Sequence, residues 1–134
     1  MSHAPAEQPT RQRVNTATPF PALPRPVQPA HVIRSDREAI EVARRLASTF
    51  ALESSLRDRE GFLPITELDA YSQSGLWGIT VPRSFDGAGV SYATVAEVIR
   101  ILAEGDSSLA QITQNHLALV AHIAFAAIAA GAVI

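Results

Sequence analysis

The side chains with the means to act on a ligand are few. The chain has 134 residues and four histidines: His3, His31, His116 and His122. His3 and His31 lie in or beside a proline-rich lead-in. His116 and His122 are six residues apart, so they do not share a helix face as an i, i+4 metal pair would. No HExxH occurs. The absence of cysteine excludes a thiol nucleophile, a disulfide framework and a Cys-ligated zinc site. No metal site is expected. Ser, His and Asp are all present, but no nucleophile-elbow pattern surrounds any serine. Asp86-Gly87-Ala88-Gly89 lacks the GxGxxG spacing and reads as a plain turn. One polar cluster is left, Gln114-Asn115-His116, embedded in an otherwise apolar helix. Two readings stand beside each other. The cluster is a solvated helix surface, or it lines a ligand pocket completed by another domain, since buried polar groups need partners. Either way, the residues predict an α-helical module with no self-contained active site.

The elements that must carry these residues are legible from the punctuation. Ser35-Asp36-Arg37-Glu38 fits a capping box, with Ser35 as N-cap and Glu38 reaching back. Ala39, Ile40, Ala43, Leu46, Ala47 and Phe50 follow at helical spacing, which predicts a first helix to about Arg57. The charged run Arg57–Gly61 reads as a solvated turn. Pro64 fits the first turn of a second helix, with Glu67 and Asp69 near its positive end and Gly75 as the residue after its end. Leu68, Tyr71 and Ser72 face inward on it. Leu76–Pro82 reads as a short, extended, buried connector, and Arg83–Gly89 as a turn-rich loop. Ser91 or Thr94 caps a third helix with an apolar stripe of Val95, Val98, Ile99 and Leu102. Gly105 stops it, and Asp106-Ser107-Ser108 caps a fourth. Leu109, Ile112, His116, Leu117 and Val120 lie on one face of that fourth helix. The expected core is Ile40, Phe50, Leu68, Trp77, Ile79, Val98, Ile99, Leu102, Leu109 and Ile112.

Seven of the nine prolines fall in residues 1–30. Proline removes donors and blocks helix interiors, so residues 1–31 read as a disordered Pro-rich tail. It holds no long apolar h-region, and its prolines argue against the amphipathic helix of a transit peptide, so the chain reads as cytoplasmic. Pro24–Pro29 is also a candidate polyproline ligand. The charge is split. Residues 1–34 carry four Arg and one Glu, a net +3, whereas residues 35–134 carry seven Arg and twelve acids, a net −5. A folded part of that sign is a poor match for nucleic acid, which needs a basic footprint.

The last eighteen residues, LALVAHIAFAAIAAGAVI, have His122 as their one polar side chain. Three readings compete: a membrane span, which needs about 20 apolar residues; a buried central helix with little chain left to cover it; and a helix whose structural partners lie beyond the chain. The membrane reading is the weakest.

Taken in order, SGLWGITVPRSFDGAGVSYATVAEVIRILAEGDSSLAQITQNH resembles the N-terminal helical domain of the acyl-CoA dehydrogenase superfamily. Ser74-Gly75, Val81-Pro82, Gly87, Gly89, Glu97, Asp106 and Ser108 carry the resemblance, which covers about residues 32–121. Asp86-Gly87 stands where the family's loop commonly has Gly-Gly. The start VIRSDREAIEVARRLA and the QNH segment look closest to the branch of sulfur-acquisition oxidoreductases similar to dibenzothiophene-type flavin monooxygenases. The resemblance implies an all-α short helical bundle over residues 32–134, incomplete at its C-terminal end. It implies a three-part flavoenzyme, usually a tetramer, in which this domain is one wall of the substrate pocket. Gln114, Asn115 and His116 are the pocket-wall candidates. The cofactor it implies is a flavin, FAD or reduced FMN, with binding by this chain alone doubtful. The substrate it implies is a small molecule, an acyl thioester or an organosulfur compound. On this reading the chain looks truncated and is inactive alone. The alternative is a stand-alone helical interaction or oligomerisation module without catalysis.

Overall fold

The computed structural model describes residues 29–131, and the expected Pro-rich tail lies almost wholly outside them. Five α-helices follow in order: α1 (Asp36–Ala51), α2 (Ser54–Glu60), α3 (Ile65–Gln73), α4 (Tyr92–Gly105) and α5 (Ser107–Ala129). Two short 3₁₀ turns, Leu76–Gly78 and Arg83–Phe85, lie between α3 and α4. Among the described residues there is no strand, so the all-α expectation holds.

α1 and α4 form the main packed pair, and α5 packs on α4. The sequence allows α1 and α4 a close approach: a Cβ on Gly105 would sit 2.4 Å from the carbonyl oxygen of Ala47. Phe50, Tyr71, Leu76, Ile79, Val98, Leu102 and Leu117 are fully buried between these elements. Of the expected core, Phe50, Ile79, Val98, Leu102 and Leu109 are buried, and Ile40, Leu68 and Trp77 pack against them half-buried. Ile99 and Ile112 are not core: Ile99 is half-buried, with Ile101 taking the inward position on α4, and Ile112 is 45% exposed. The buried stripe of α5 is Leu109, Ala110, Thr113 and Leu117, and Ile112 lies about 100° of helix rotation away from Thr113.

α1 starts at the expected cap, but the capping box is incomplete and the helix ends early. Ser35 is the N-cap and its Oγ accepts from the Glu38 N–H at 3.2 Å. The Glu38 carboxylate does not reach back to Ser35, however. It accepts from the Arg34 N–H at 2.8 Å and meets His31 Nε2 at 2.6 Å. The Arg34 N–H, and then the His31 ring, hold this carboxyl below its usual range. At the other end the helix stops at Ala51 instead of running to Arg57. The reason lies in the charged run, which is not a solvated turn. Arg57 sits in α2, is 8% exposed, and its Nη2 donates to the Phe50 carbonyl at 2.8 Å. That donation satisfies one of the terminal carbonyls a helix end leaves free.

The connector after α3 is also not extended. Gly75 has φ of 83°, and a Cβ there would sit 2.3 Å from the His31 carbonyl oxygen. From it the chain turns through successive i+3 bonds, Gly78 N–H to Gly75 O and Ile79 N–H to Leu76 O. This turn buries Leu76 and Ile79 and leaves Trp77 half-buried against α5. In the following loop Asp86 adopts φ of 60°, a left-handed conformation that Asp tolerates better than most residues.

Candidate functional site

α5 is held hard at its first turn. Asp106 is its N-cap: Oδ1 accepts from the N–H groups of Ser108 (3.0 Å) and Leu109 (3.1 Å). The other oxygen, Oδ2, accepts from Arg57 Nη2 at 2.8 Å, and Arg57 Nη1 donates to Glu67 Oε1 at 2.6 Å. One buried guanidinium thus joins the end of α1, the start of α3 and the start of α5. Removing one member of such a group leaves buried charge uncompensated. A recess of about 540 Å³ lies beside it. Its cation is already matched by two carboxylates, and Glu104 and Asp58 add to its rim, so it offers no anion site.

α1 and α4 are tied at their N-termini in a similar way. Asp36 Oδ2 accepts from the Thr94 hydroxyl (2.6 Å), the Ser91 hydroxyl (2.8 Å) and the Ser91 N–H (3.0 Å). These donors, Thr94 first, push the Asp36 carboxyl down to about 2. Ser91 is the N-cap of α4, and Thr94 is buried behind it.

The candidates Gln114, Asn115 and His116 leave this anchored helix in three directions, because consecutive helical residues do not face each other. Gln114 and Asn115 are exposed, and His116 is half-buried. The His116 ring meets Trp77 edge to face, with centroids 4.4 Å apart. Its Nε2 lies 3.1 Å from the Trp77 carbonyl oxygen. A carbonyl only accepts, so Nε2 carries the proton and Nδ1 is left to face away from that bond. Trp77 in turn meets Tyr71 edge to face, with centroids 4.4 Å apart, and its indole N–H donates to Ser72 Oγ at 3.3 Å. The Tyr71 hydroxyl is buried with no hydrogen-bond partner, and burial pushes the phenol up. Trp77 also lines a groove of about 380 Å³, with Val81, Phe85 and the segment Ala30–Ile33 on its other sides.

Asn115 finds a partner that sequence reasoning missed. Gln111 Nε2 donates to Asn115 Oδ1 at 3.4 Å along the exposed face. The signal was the i, i+4 spacing of two amides. Arg57 was missed as well, hidden in a charge run. The signal there was its position seven residues after Phe50, on the continuation of the α1 apolar stripe. Among the described residues no group of His, Asp and Glu is arranged to hold a metal ion.

The model of the acyl-CoA dehydrogenase N-terminal domain matches residues 35–129. The chain belongs to this family. Among curated proteins it is 37% identical over 87 residues to a probable FMNH2-dependent monooxygenase, SfnC, of Pseudomonas putida, covering 65% of this chain and 22% of that protein. It is 35% identical over 83 residues to a dibenzothiophene monooxygenase of Rhodococcus erythropolis, covering 62% and 20%. A dibenzothiophene monooxygenase of Mycolicibacterium goodii is 36% identical over 86 residues, covering 64% and 21%. The chain therefore spans about a fifth of the length of these relatives. No solved structure matches it. Family membership explains two features of this acyl-CoA dehydrogenase N-terminal domain. Asp106 and Ser108, which carry the resemblance, build the α5 cap. Asp86, at a position where glycine is common, has a positive φ.

Proposed function

We propose that this domain forms one wall of the substrate and flavin pocket of an acyl-CoA dehydrogenase-like flavin oxidoreductase of the monooxygenase branch. The observation that carries the reading is the exposed face of α5. It presents the Gln111–Asn115 amide pair beside Ile112 and Leu119, on a helix whose base is fixed by buried charge. The names of the relatives support a reduced flavin as cofactor and a small organosulfur compound as substrate. On this reading the working protein is a cytoplasmic homo-oligomer.

The residues present fit one side of such a pocket and no more. The amides of Gln111, Gln114 and Asn115 supply donors and acceptors for a polar ring edge or a sulfoxide-type oxygen. α5 carries no Lys or Arg to neutralise a flavin phosphate, so that charge is met elsewhere. The flavin, when bound, supplies the redox chemistry. This chain's part is to position and to exclude water. Asn115 and Gln111 orient the ligand directly. His116 acts at one remove, by holding Trp77 and the turn that carries it. Gln114 lies on the flank.

The test is a chimera in which residues 32–131 replace the corresponding domain of the Pseudomonas putida monooxygenase. Oxygen consumption with reduced FMN and an organosulfur substrate is measured. Asn115→Ala is expected to raise KM about tenfold, the loss of one useful hydrogen bond. An active chimera whose KM ignores both Asn115→Ala and Gln111→Ala removes the pocket-wall reading.

A further inference from the structure

The groove beside Trp77 takes no part in the proposed pocket wall, and no residue of α5 lines it. It is aromatic and apolar. Trp77, which is half-buried, Phe85, which is 48% exposed, and Val81 line it together with residues 30–33. Asp86 lines it as well, exposed and with no ion pair among the described residues. Two aromatic side chains in a shallow apolar groove are receptor chemistry for a polyproline II segment, whose preformed backbone has little entropy left to lose.

The chain carries such a segment close by. Residues 19–26 read PFPALPRP, with four prolines in eight positions. A polyproline II helix has three residues per turn. Over this stretch it puts Pro21 and Pro24 on one edge, Phe20 and Leu23 on the next, and Ala22 and Arg25 on the third. Two edges are apolar and the third ends in a cation. The segment also joins the fold at the groove itself, because residues 30–33 form part of the groove wall. They are fixed there: Ile33 is buried, and the His31 N–H donates to the Gln73 carbonyl at 3.1 Å. Residues 26–29 span about 14 Å when extended, enough to turn the segment back over the wall. We infer that residues 20–25 dock in this groove, with Phe20, Pro21, Leu23 and Pro24 against Trp77 and Phe85, and Arg25 against the Asp86 carboxylate. A tether this short sets an effective concentration of about millimolar, so even a weak polyproline contact is filled. The inference does not rest on the flavin reading.

Trp77 is the one tryptophan of the chain, so its fluorescence reports on the groove directly. The full 134-residue chain is compared with its Phe20→Asp, Leu23→Asp double variant, with circular dichroism as the folding control. Both changes lie outside the helices. The expected result is equal helicity, with Trp77 of the wild type emitting further to the blue and quenched by acrylamide at least twofold less. A synthetic peptide of residues 17–28 is then added. It is expected to return the double variant to the wild-type emission and to leave the wild type unchanged at micromolar concentration, where the tethered segment outcompetes it. Phe85→Ala in the double variant is expected to weaken the peptide at least tenfold. Asp86→Asn is expected to weaken it about threefold, as an exposed ion pair would. Equal emission and quenching of wild type and double variant overturn the inference. So does a peptide that fails to bind the double variant, that binds both chains alike, or that ignores Phe85→Ala.

Discussion

The two halves of α5 have much the same backbone and opposite circumstances. From Ser107 to Leu117 the helix is capped by Asp106, clamped through Arg57 and packed on α4. From Ala118 to Ala129 it is more apolar, yet almost wholly uncovered. Hydrophobicity therefore does not decide burial here. What decides it is where α4 ends: α4 and α5 run back from their shared corner at Gly105–Ser107, and α4 has 14 residues against 23 in α5. The excess of α5 projects beyond its neighbour. The proposed pocket face sits near the boundary, where a rigid base presents side chains that the domain itself does not use.

Substitution of one residue type in each region gives the largest contrast. Phe50→Ala, in the α1 core to which Arg57 ties the base of α5, is expected to cost about 3–5 kcal/mol, the range for an aromatic removed from a core. Urea unfolding measures it, and a cost below 1 kcal/mol would break the comparison. Arg57→Met is expected to cost about 3 kcal/mol, because Glu67 and Asp106 are left buried without their cation. If that variant instead matches the wild-type midpoint, the clamp is not what fixes α5.

An effect confined to acid follows from Asp36. Its carboxyl is pushed down from 3.8 to about 2 by Thr94 and Ser91. The group's contribution is therefore fully present above its unfolded value of 3.8 and is lost as pH falls through about 2. Acid unfolding between pH 4 and pH 2 is expected to lose part of its steepness in Asp36→Asn with Thr94→Val, read by circular dichroism. An unchanged acid transition would dissociate the α1–α4 tie from stability. The smallest effect is expected in the uncovered half: Phe125→Ala, in dilute solution, stays within about 0.5 kcal/mol of wild type.

Local features were readable in the sequence, and tertiary ones were not. Ser35, Asp106 and Gly75 are legible as helix ends, and Ser91 as one of two caps beside Thr94, because caps depend on the next three or four residues. The α1 stripe is readable from its spacing, whereas on α4 the spacing finds Val98 and Leu102 but puts Ile99 inward where Ile101 is buried. The break at Ala51 was not readable, because its cause is Arg57 capturing the Phe50 carbonyl, and Arg57 is held there by Asp106, 49 residues away. The sequence puts Ile112 in the core because it is the large apolar side chain between Leu109 and Leu117. Thr113, buried with its hydroxyl donating to the Leu109 carbonyl at 2.9 Å, took the inward position instead. As for the site, Gln114-Asn115-His116 stood out as polar residues in an apolar run. Their divergence, the Trp77 contact of His116 and the pairing of Asn115 with Gln111 required the helix and its neighbours.

The central claim is that α5 is one helix with a fixed base and an uncovered end. Amide hydrogen exchange of the full chain in dilute solution tests it most directly. The account predicts that amides from Gln111 to Ala121 exchange only through global unfolding. It predicts that amides from His122 to Ala130 exchange orders of magnitude faster, through local fraying. Uniform protection along α5 in the monomer would contradict it.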